Sequence, residues 1–232
     1  MSGDDDKRRW TGAVGPRGGR PLTKRVQDKT KKPSSRAWIE RQINDPYVQQ
    51  ARDEGWRARA AFKLAELDDR FHLIKRGARV IDLGAAPGGW AQVALKRGAA
   101  RVVGVDLLPV DPLAGATFLV GDFLDPAVQE AVAAALGGAP DLIVSDMAAN
   151  TTGHQRTDQI RTGALAEAAA RYAMARLAPG GAFVTKAFQG GLSGEVLGDL
   201  KKAFRTVRHA KPPASRAESA ETYLVAQGFR GD

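Results

Sequence analysis

From residue 79 onward, short apolar runs alternate with stretches of helical spacing. Apolar runs bounded by glycine, proline or charged residues are typical of buried strands, and apolar stripes at spacings of three and four are typical of helices packed on a sheet. The predicted strands are Val80 to Leu83, Arg101 to Val105, Thr117 to Val120, Asp141 to Ser145, Ala182 to Thr185, Val207 to Ala210 and Thr222 to Gln227. Helices are predicted at about 90–97, 126–136 and 163–177, and after Gly194 with Leu197, Leu200 and Phe204 on one face. This alternation predicts an α/β fold with a mostly parallel, doubly wound sheet.

Two more helices are predicted before the first strand, at Ala37 to Val48 and at Arg57 to Phe71. The second has an apolar stripe at spacings of three and four, with Lys63 beside it. Residues 1–36 instead mix Gly, Pro, Ser, Lys and Arg with hardly any aliphatic residue, so they cannot bury enough apolar surface to offset the entropy of ordering. We therefore predict a disordered basic arm over 1–36 and one domain over 37–232.

The positive charge is concentrated in that arm. The chain has a net charge of +9, of which residues 1–36 carry +7, with eleven Lys and Arg against four Asp. Residues 37–232 hold 24 Lys and Arg against 22 acidic residues. The arm either keeps the protein soluble or contacts nucleic acid phosphates and releases their counterions.

Composition excludes several kinds of chemistry. The chain has no Cys, so disulfides, thiolate metal sites and thiol nucleophiles are excluded, and three scattered His residues offer no ligand cluster, so no metal is expected. No apolar stretch approaches the roughly 20 residues that span a bilayer. The N-terminus has charges where a signal peptide would be apolar. We expect a cytoplasmic protein without a membrane partner.

The first strand runs into a glycine-rich loop, Asp82-Leu-Gly84-Ala-Ala-Pro-Gly88-Gly89-Trp90. Glycine lets a ligand lie against bare backbone at the carboxyl end of a parallel strand. The loop lacks the G-x-G-x-x-G spacing of dinucleotide sites and has an acid before its first glycine. The loop is consistent with a binding site for S-adenosylmethionine, with a binding site for another nucleotide or with a purely structural turn.

Several later strands stop at a charged residue. Because carboxyl ends of parallel strands share one edge of the sheet, Asp82, Asp106, Asp122, Asp146 and Lys186 should converge on one crevice. Asp106 is placed to bind ribose hydroxyls and Asp122 to accept from an adenine amino group. Either Asp82 or Asp122 taken alone could be a helix cap.

A buried strand that continues directly into Lys186 would bury the lysine ammonium. This burial costs desolvation free energy unless an acidic side chain lies near. Asp146 at another strand end could pair with this lysine, or the ammonium could reach solvent. Near the second predicted helix, Arg57 and Arg59 are interleaved with aromatic residues, which suits either RNA contact or a solvated helix face.

The chain resembles the FtsJ-type family of RNA 2′-O-methyltransferases from about Arg41 to Phe229. The motifs that carry the resemblance are Asp45-Pro-Tyr47, Arg57-Ala-Arg59-Ala-Ala-Phe-Lys63-Leu64, the glycine-rich loop, Asp106-Leu-Leu-Pro, Gly121-Asp122-Phe, Ser145-Asp146-Met-Ala, Lys186-Ala-Phe-Gln-Gly190 and Ser215-Arg216-Ala-Glu-Ser-Ala-Glu221-Thr-Tyr223. Ala58 and Ala149 depart from the residues common in relatives at those positions, and neither belongs to the family's Lys-Asp-Lys-Glu tetrad. The resemblance implies a class I S-adenosylmethionine-dependent methyltransferase fold, with a seven-stranded sheet, helices on both faces and a final antiparallel strand.

The resemblance also implies the site. The family's Lys-Asp-Lys-Glu tetrad falls on Lys63, Asp146, Lys186 and Glu221. Contacts with S-adenosylmethionine, which leaves as S-adenosylhomocysteine, are expected from Asp82, Gly84, Gly88, Gly89, Trp90, Asp106, Asp122 and Asp146. RNA contacts are expected from Arg57, Arg59 and Arg216. Lys186 is interpreted as the base that takes the hydroxyl proton, or as an ammonium that stabilises the developing alkoxide.

The implied reaction is methylation of a uridine 2′-hydroxyl in large-subunit (23S) ribosomal RNA, within the large ribosomal subunit, by a monomeric enzyme. Alternatives are a 2′-O-methyltransferase of tRNA or another RNA, and a non-catalytic RNA-binding factor of ribosome assembly. A dinucleotide-dependent oxidoreductase is disfavoured by the loop spacing and by Lys186 at a strand end.

Overall fold

The computed structural model describes residues 39–40, 43–149, 153–188, 191–216 and 219–231, with Gln155 by its backbone only. The chain divides into two units, Met1–Pro46 and Tyr47–Asp232. The predicted arm, residues 1–36, lies outside the described residues. The division into an arm and a domain that starts at residue 37 therefore stays a prediction.

The strands and helices of the described residues follow the predicted alternation. The strands are β1 (Arg79–Leu83), β2 (Arg101–Asp106), β3 (Ala116–Val120), β4 (Leu142–Ser145), β5 (Ala182–Phe188), β6 (Phe204–Ala210) and β7 (Glu221–Phe229). The helices are α1 (Pro46–Asp53), α2 (Ala60–Phe71), α3 (Gly89–Lys96), α4 (Pro126–Leu136), α5 (Gln155–Arg176) and α6 (Gly194–Ala203).

The seven strands form one sheet in the order β3-β2-β1-β4-β5-β7-β6. Strands β1 to β5 pair in parallel, and β7 is antiparallel to both β5 and β6. The predicted mostly parallel sheet with an antiparallel last strand is confirmed. After β1 the chain builds one side of the sheet with β2 and β3, and it returns to build the other side with β4 and β5. The point between β1 and β4, where the direction reverses, is where open α/β sheets bind ligands.

Helices cover both faces of the sheet, because residues of the central strands alternate between two apolar cores. On one face, Val80 and Val144 pack in a core with side chains of α2 and α3. On the other face, Ile81 and Ile143 pack in a core with side chains of α4, α5 and α6. Both faces of the strands are therefore buried, and the carboxyl ends of the parallel strands remain as the open edge.

The two helices predicted near the N-terminus differ from the prediction in their bounds. Within the predicted helix from Ala37 to Val48, the described residues Ile39, Glu40 and Ile43 are helical, but Asn44 and Asp45 are not, and a separate helix spans Pro46–Asp53. Proline has no N–H and fixes φ, so it suits the first turn of a helix and disfavours the interior. The helix predicted from Arg57 starts at Ala60 instead, and the backbone N–H of Arg57 donates to the side chain of Gln92 (2.7 Å).

Three other boundaries also differ from the prediction. Helix α5 starts at Gln155, eight residues before the predicted start at 163. Phe204 was predicted in a helix but opens strand β6, where it pairs with Phe229. Strand β5 continues past Lys186 to Phe188, because β7 supplies antiparallel partners to its end.

Among the described residues, no helix is long and apolar enough to cross a membrane. In the same part of the chain, no three His, Asp or Glu side chains are grouped so that they could hold a metal ion. Neither finding covers the remaining residues, so the expected absence of membrane and metal partners stays a prediction.

Candidate active site

Four charged side chains from distant parts of the chain meet at the open edge of the sheet. Lys63 comes from α2, Asp146 follows β4, Lys186 lies in β5, and Glu221 begins β7. Lys186 and Glu221 come together because the antiparallel register of β5 and β7 pairs Lys186 with Tyr223 and Phe188 with Glu221. The structure thus brings the four predicted tetrad residues into one cluster.

The cluster contains two ammonium and two carboxylate groups in alternating contact. Lys63 Nζ lies 2.6 Å from Glu221 Oε1 and 3.9 Å from Asp146 Oδ2. Lys186 Nζ lies 2.9 Å from Asp146 Oδ1 and 3.7 Å from Glu221 Oε2. The side chains are between 10% and 17% exposed, so each charge depends on its partners for compensation.

Tyr223 joins the two halves of this cluster, although sequence reasoning assigned it no role. Its hydroxyl donates to Asp146 Oδ1 at 2.7 Å and accepts from Lys63 Nζ at 3.1 Å. Glu221 and Tyr223 are two residues apart on one strand, so they face the same side of the sheet. That spacing was the available signal. Glu221 also accepts a hydrogen bond from Ser215 Oγ (3.2 Å) in the loop between β6 and β7.

The ion pairs fix the charge states of the cluster. Burial alone would raise the pKa of Asp146, but the positive charges of Lys186 and Lys63 outweigh it and hold that pKa below its usual value. Burial would lower the pKa of Lys186, and the negative charges of Asp146 and Glu221 reverse this and raise it. In the resting site Asp146 is therefore a carboxylate and Lys186 an ammonium.

The hydroxyl of Tyr223 stays protonated for related reasons. Burial, together with the negative charges of Asp146 and Glu221, raises the pKa of Tyr223 well above its usual value. A neutral hydroxyl between these carboxylates acts as a hydrogen-bond donor. It holds Asp146 in place without adding charge to the cluster.

A cavity opens beside the cluster at the point where the strand order reverses. Its lining residues are Gly84, Ala86, Val105, Asp106, Leu107, Gly121, Asp122, Phe123, Asp146, Met147, Ala148 and Leu165. Of the residues predicted to contact S-adenosylmethionine, Gly84, Asp106, Asp122 and Asp146 line this cavity, whereas Asp82, Gly88, Gly89 and Trp90 do not. The walls thus combine three carboxylates with apolar side chains.

The carboxylates of Asp106 and Asp122 also shape the loops around the cavity. Asp106 accepts hydrogen bonds from the backbone N–H of Ala86 in the glycine-rich loop and of Leu108, each at 2.9 Å. Asp122 accepts from the backbone N–H of Leu124 at 2.9 Å. Each carboxylate keeps further acceptor positions for a ligand. Next to them Leu107 is 64% exposed, so an apolar face lies open at the rim.

Asp82 lies below the loop inside β1 and is 1% exposed. Among the described residues, neither of its carboxylate oxygens has a hydrogen-bond partner. Burial, and after it the negative charge of Asp146, raises the pKa of Asp82 to about 8. Its predicted contact with a cofactor stays a prediction, because the side chain is covered.

Trp90 lies in the core with its indole away from the cavity lining. The indole N–H donates to the backbone oxygen of Ala60 at 2.7 Å, and the ring packs on Tyr223 with 5.7 Å between centroids. The predicted contact of Trp90 with S-adenosylmethionine stays a prediction. The side chain instead supports Tyr223 from below and joins α3 to the start of α2.

Arg57 fastens the glycine-rich loop to the loop between β2 and β3. Its guanidinium donates to the backbone oxygens of Asp111 and Pro112, each at 2.7 Å, and of Pro87 at 3.3 Å. Gly88 has φ +101, and a Cβ there would lie 2.6 Å from Nη1 of Arg57. These carbonyls engage the guanidinium, so Arg57 belongs to the frame of the cavity. Its predicted contact with RNA stays a prediction.

The second predicted RNA contact, Arg59, is also engaged by a backbone oxygen. Its Nη2 donates to the carbonyl of Ala214 in the loop between β6 and β7. The N–H of Ala214 donates to Glu66 of α2 at 2.7 Å. This pair of contacts fastens to α2 the loop that carries Ser215. Arg216, the third predicted RNA contact, follows Ser215 and is half-buried.

Comparison with known proteins gives concordant matches. The model of the FtsJ-like methyltransferase family matches residues 56–229. A protein from Acidiphilium cryptum (strain JF-5), named Ribosomal RNA large subunit methyltransferase E, is 62% identical over 201 residues, or 87% of this chain and 89% of the relative. A protein of the same name from Granulibacter bethesdensis is 57% identical over 217 residues, or 94% of each chain.

Among solved structures, a ribosomal RNA methyltransferase from Plasmodium falciparum has a TM-score of 0.64 at 27% identity. The match covers 76% of this chain and 100% of that chain.

Proposed function

Because the chain belongs to the FtsJ-like methyltransferase family, we propose that it transfers a methyl group from S-adenosylmethionine to a ribose 2′-hydroxyl of a uridine in large-subunit ribosomal RNA. The family match and the sheet topology confirm the resemblance and the class I methyltransferase fold that it implied. The observation that carries the proposal is the closed cluster of Lys63, Asp146, Lys186 and Glu221 at the rim of the cavity.

The cavity suits S-adenosylmethionine by the chemistry of its walls. Asp106 offers a carboxylate for a ribose diol, and Asp122 offers one for an adenine amino group. Leu107 and Phe123 give apolar surface for the purine. Asp146 connects this cavity with the two lysines, so the reactive end of a bound donor would lie beside them.

The charged cluster supports a division of roles during transfer. When bound, S-adenosylmethionine supplies a methyl group on a positively charged sulfur. Lys186 donates a hydrogen bond to the attacking 2′-oxygen and stabilises the negative charge that develops on it, while the hydroxyl proton passes to solvent. Asp146 and Glu221 orient Lys186, and Lys63 orients Glu221. These contacts would hold the attacking oxygen in a fixed position for transfer.

The raised pKa of Lys186 supports this ammonium role over the role of base. A base must be neutral before it accepts the hydroxyl proton, and Asp146 and Glu221 oppose the loss of the Lys186 proton. The role of base remains the alternative, and the two roles predict opposite responses to pH.

The names of the relatives support ribosomal RNA of the large subunit as the substrate, since the chain matches them over most of its length. The substrate would place the protein where bacterial ribosomes assemble, in the cytoplasm. A complete cluster within one chain is compatible with a monomer. The arm over residues 1–36, with a charge of +7, would add contacts with RNA phosphates.

Transfer in vitro tests the proposal. Purified protein is incubated with S-adenosylmethionine labelled in its methyl group and with large subunits from cells that lack the protein. Nuclease digestion and mass spectrometry of the nucleosides should then identify 2′-O-methyluridine. Asp146→Asn is the matched inactive control, because it removes one charge with little change in shape. Donor binding without any transfer would instead point to an assembly factor without catalytic activity.

A further inference from the structure

The basic charge of residues 37–232 is concentrated at one edge of the sheet. Residues 201–216 hold six of their 24 Lys and Arg residues and none of their 22 Asp and Glu residues. The rest of 37–232 therefore has 18 basic against 22 acidic residues, a net charge of −4. The segment comprises the end of α6, the edge strand β6 and the first part of the loop that follows.

Most of the charged side chains of this segment are exposed along the edge of the sheet. We define the basic edge as Lys201, Lys202, Arg205, Arg208 and Lys211, all of which are exposed. Lys202 pairs with Asp199, its neighbour on α6, at 3.3 Å. Among the described residues, no carboxylate lies within ion-pair distance of Arg205 or Arg208. These two guanidinium groups are available to an anionic partner.

The basic edge begins at the candidate active site. Strand β6 is antiparallel to β7, and its last residue, Ala210, pairs with Tyr223, whose hydroxyl contacts Asp146. Lys211 comes next in the chain, and the loop then leads to Ser215, which contacts Glu221. Away from the candidate active site, the basic edge follows the seven residues of β6, a length of roughly 20 Å.

Packing holds part of the basic edge in place. A Cβ on Gly228 would lie 2.9 Å from Cδ of Arg205, so the Arg205 stem lies close against the backbone of β7. Gly228 has φ +71, a conformation that favours glycine. The guanidinium of Arg205 thus projects from a supported stem, which lowers the entropy lost when it binds a phosphate.

Protection of an exposed sheet edge is the alternative explanation, since lysine and arginine on edge strands block pairing with other chains. The opposite edge of the same sheet argues against it. Strand β3 has the sequence ATFLV, without a charged residue, and Val120 at its end is 64% exposed. Charge is therefore not this protein's general means of protecting edges.

We propose that the basic edge binds the phosphate backbone of the substrate RNA next to the nucleotide held at the Lys63, Asp146, Lys186 and Glu221 cluster. This inference rests on the proposed function and extends it to a second surface. Phosphates in a strand that passes the site would meet Arg208 and then Arg205. The surface positions the RNA and carries no sequence information by itself.

The test compares Arg205→Gln/Arg208→Gln with a matched control, Lys75→Gln/Arg76→Gln. The control pair is also exposed and precedes β1, at the opposite end of the parallel strands. Fluorescence anisotropy measures binding of a labelled transcript of large-subunit ribosomal RNA at several salt concentrations. Calorimetry with S-adenosylhomocysteine verifies that each variant is folded.

We expect the edge variant to bind the transcript about 10- to 30-fold more weakly near 0.1 M salt, and its slope of log K against log salt to fall by about 1.4, the value for two lost phosphate contacts with a single strand. The control should bind as the wild type does. An edge variant with the wild-type affinity and slope overturns the inference, and greater aggregation of that variant would assign the charges to edge protection. If the wild-type protein binds the transcript but transfers no methyl group to large subunits, the proposed function fails separately.

Discussion

Lys63 and Glu221 are 158 residues apart in the chain, yet Nζ of the lysine lies 2.6 Å from Oε1 of the glutamate. The contact ties helix α2 to the start of β7 inside a cluster that balances two positive against two negative charges. Breaking a buried pair by removing one partner is costly, because it leaves an uncompensated charge. The contact should therefore matter for stability as well as for transfer.

The first prediction concerns the coupling of this pair. Lys63→Met should lower the free energy of unfolding by about 3 kcal/mol. The double variant Lys63→Met/Glu221→Gln should lose less than the sum of the two single variants, because the second change removes the orphaned charge. Urea denaturation measures all three. Lys202→Met is the control, and its exposed pair with Asp199 should contribute at most about 1 kcal/mol. Additive losses would contradict the coupling.

The second prediction concerns the charge of Lys186. As an ammonium, it gives a single-turnover rate that is constant between about pH 7 and 9 and falls as the pH approaches its raised pKa. Lys186→Arg then keeps the rate within about tenfold, and Lys186→Met loses roughly a thousandfold. A base would give a rate that rises about tenfold per pH unit over the same range, and its arginine variant would be inactive.

The third prediction concerns the pH dependence of stability. Because the pKa of Asp82 is about 8 in the folded protein and near 3.8 when unperturbed, the folded state binds a proton over this range that the unfolded state has lost. The free energy of unfolding therefore falls as the pH rises through the range, by up to about 1.4 kcal/mol per unit.

Asp82→Asn cannot ionise, so it should remove this fall in the free energy of unfolding with rising pH. Thermal melts should give it the greater stability at pH 8.5, and the difference from the wild type should shrink as the pH falls toward 3.8. The exposed Asp53→Asn is the control and should follow the wild type. Parallel curves for Asp82→Asn and the wild type would show that Asp82 is ionised in both states.

The fourth prediction separates backbone strain from the role of Arg57. Gly88 and Gly77 both have positive φ, +101 and +82, so alanine at either position should cost about 1 kcal/mol of stability. Only at Gly88 would the new Cβ meet the Arg57 guanidinium, whereas nothing lies within 4 Å at Gly77. Gly88→Ala should therefore weaken S-adenosylhomocysteine binding at least about tenfold by calorimetry. Equal affinities for the two variants would remove Arg57 from the frame of the cavity.

Much of the fold followed from the periodicity of the chain, because buried parallel strands are apolar throughout and the helices between them have clear stripes. The meeting of Asp146 and Lys186 was predicted from the ends of strands. The position of Glu221 came only with the family resemblance, since pairing between β5 and β7 depends on antiparallel register, which local sequence does not specify. Trp90 shows the same limit, because an aromatic residue after a glycine-rich loop is equally compatible with the cavity and the core.

The arginines show where sequence reasoning stops. Arg57 and Arg59 lie among aromatic residues, a composition typical of RNA contact. In the structure, both guanidinium groups donate instead to backbone carbonyls of loops that are distant in sequence. Neither the loop between β2 and β3 nor that between β6 and β7 is near them in sequence. Residues 201–214 belong to none of the family motifs, and their charge gains meaning only from the position of β6 at the edge of the sheet.

The central claim is that the Lys63, Asp146, Lys186 and Glu221 cluster methylates a ribose in large-subunit ribosomal RNA. The most direct measurement maps 2′-O-methylation across that RNA from cells without the protein, complemented with the wild type or with Asp146→Asn. We predict that one uridine is methylated with the wild type and unmethylated both without the protein and with Asp146→Asn. The same methylation pattern in all three strains would contradict the account.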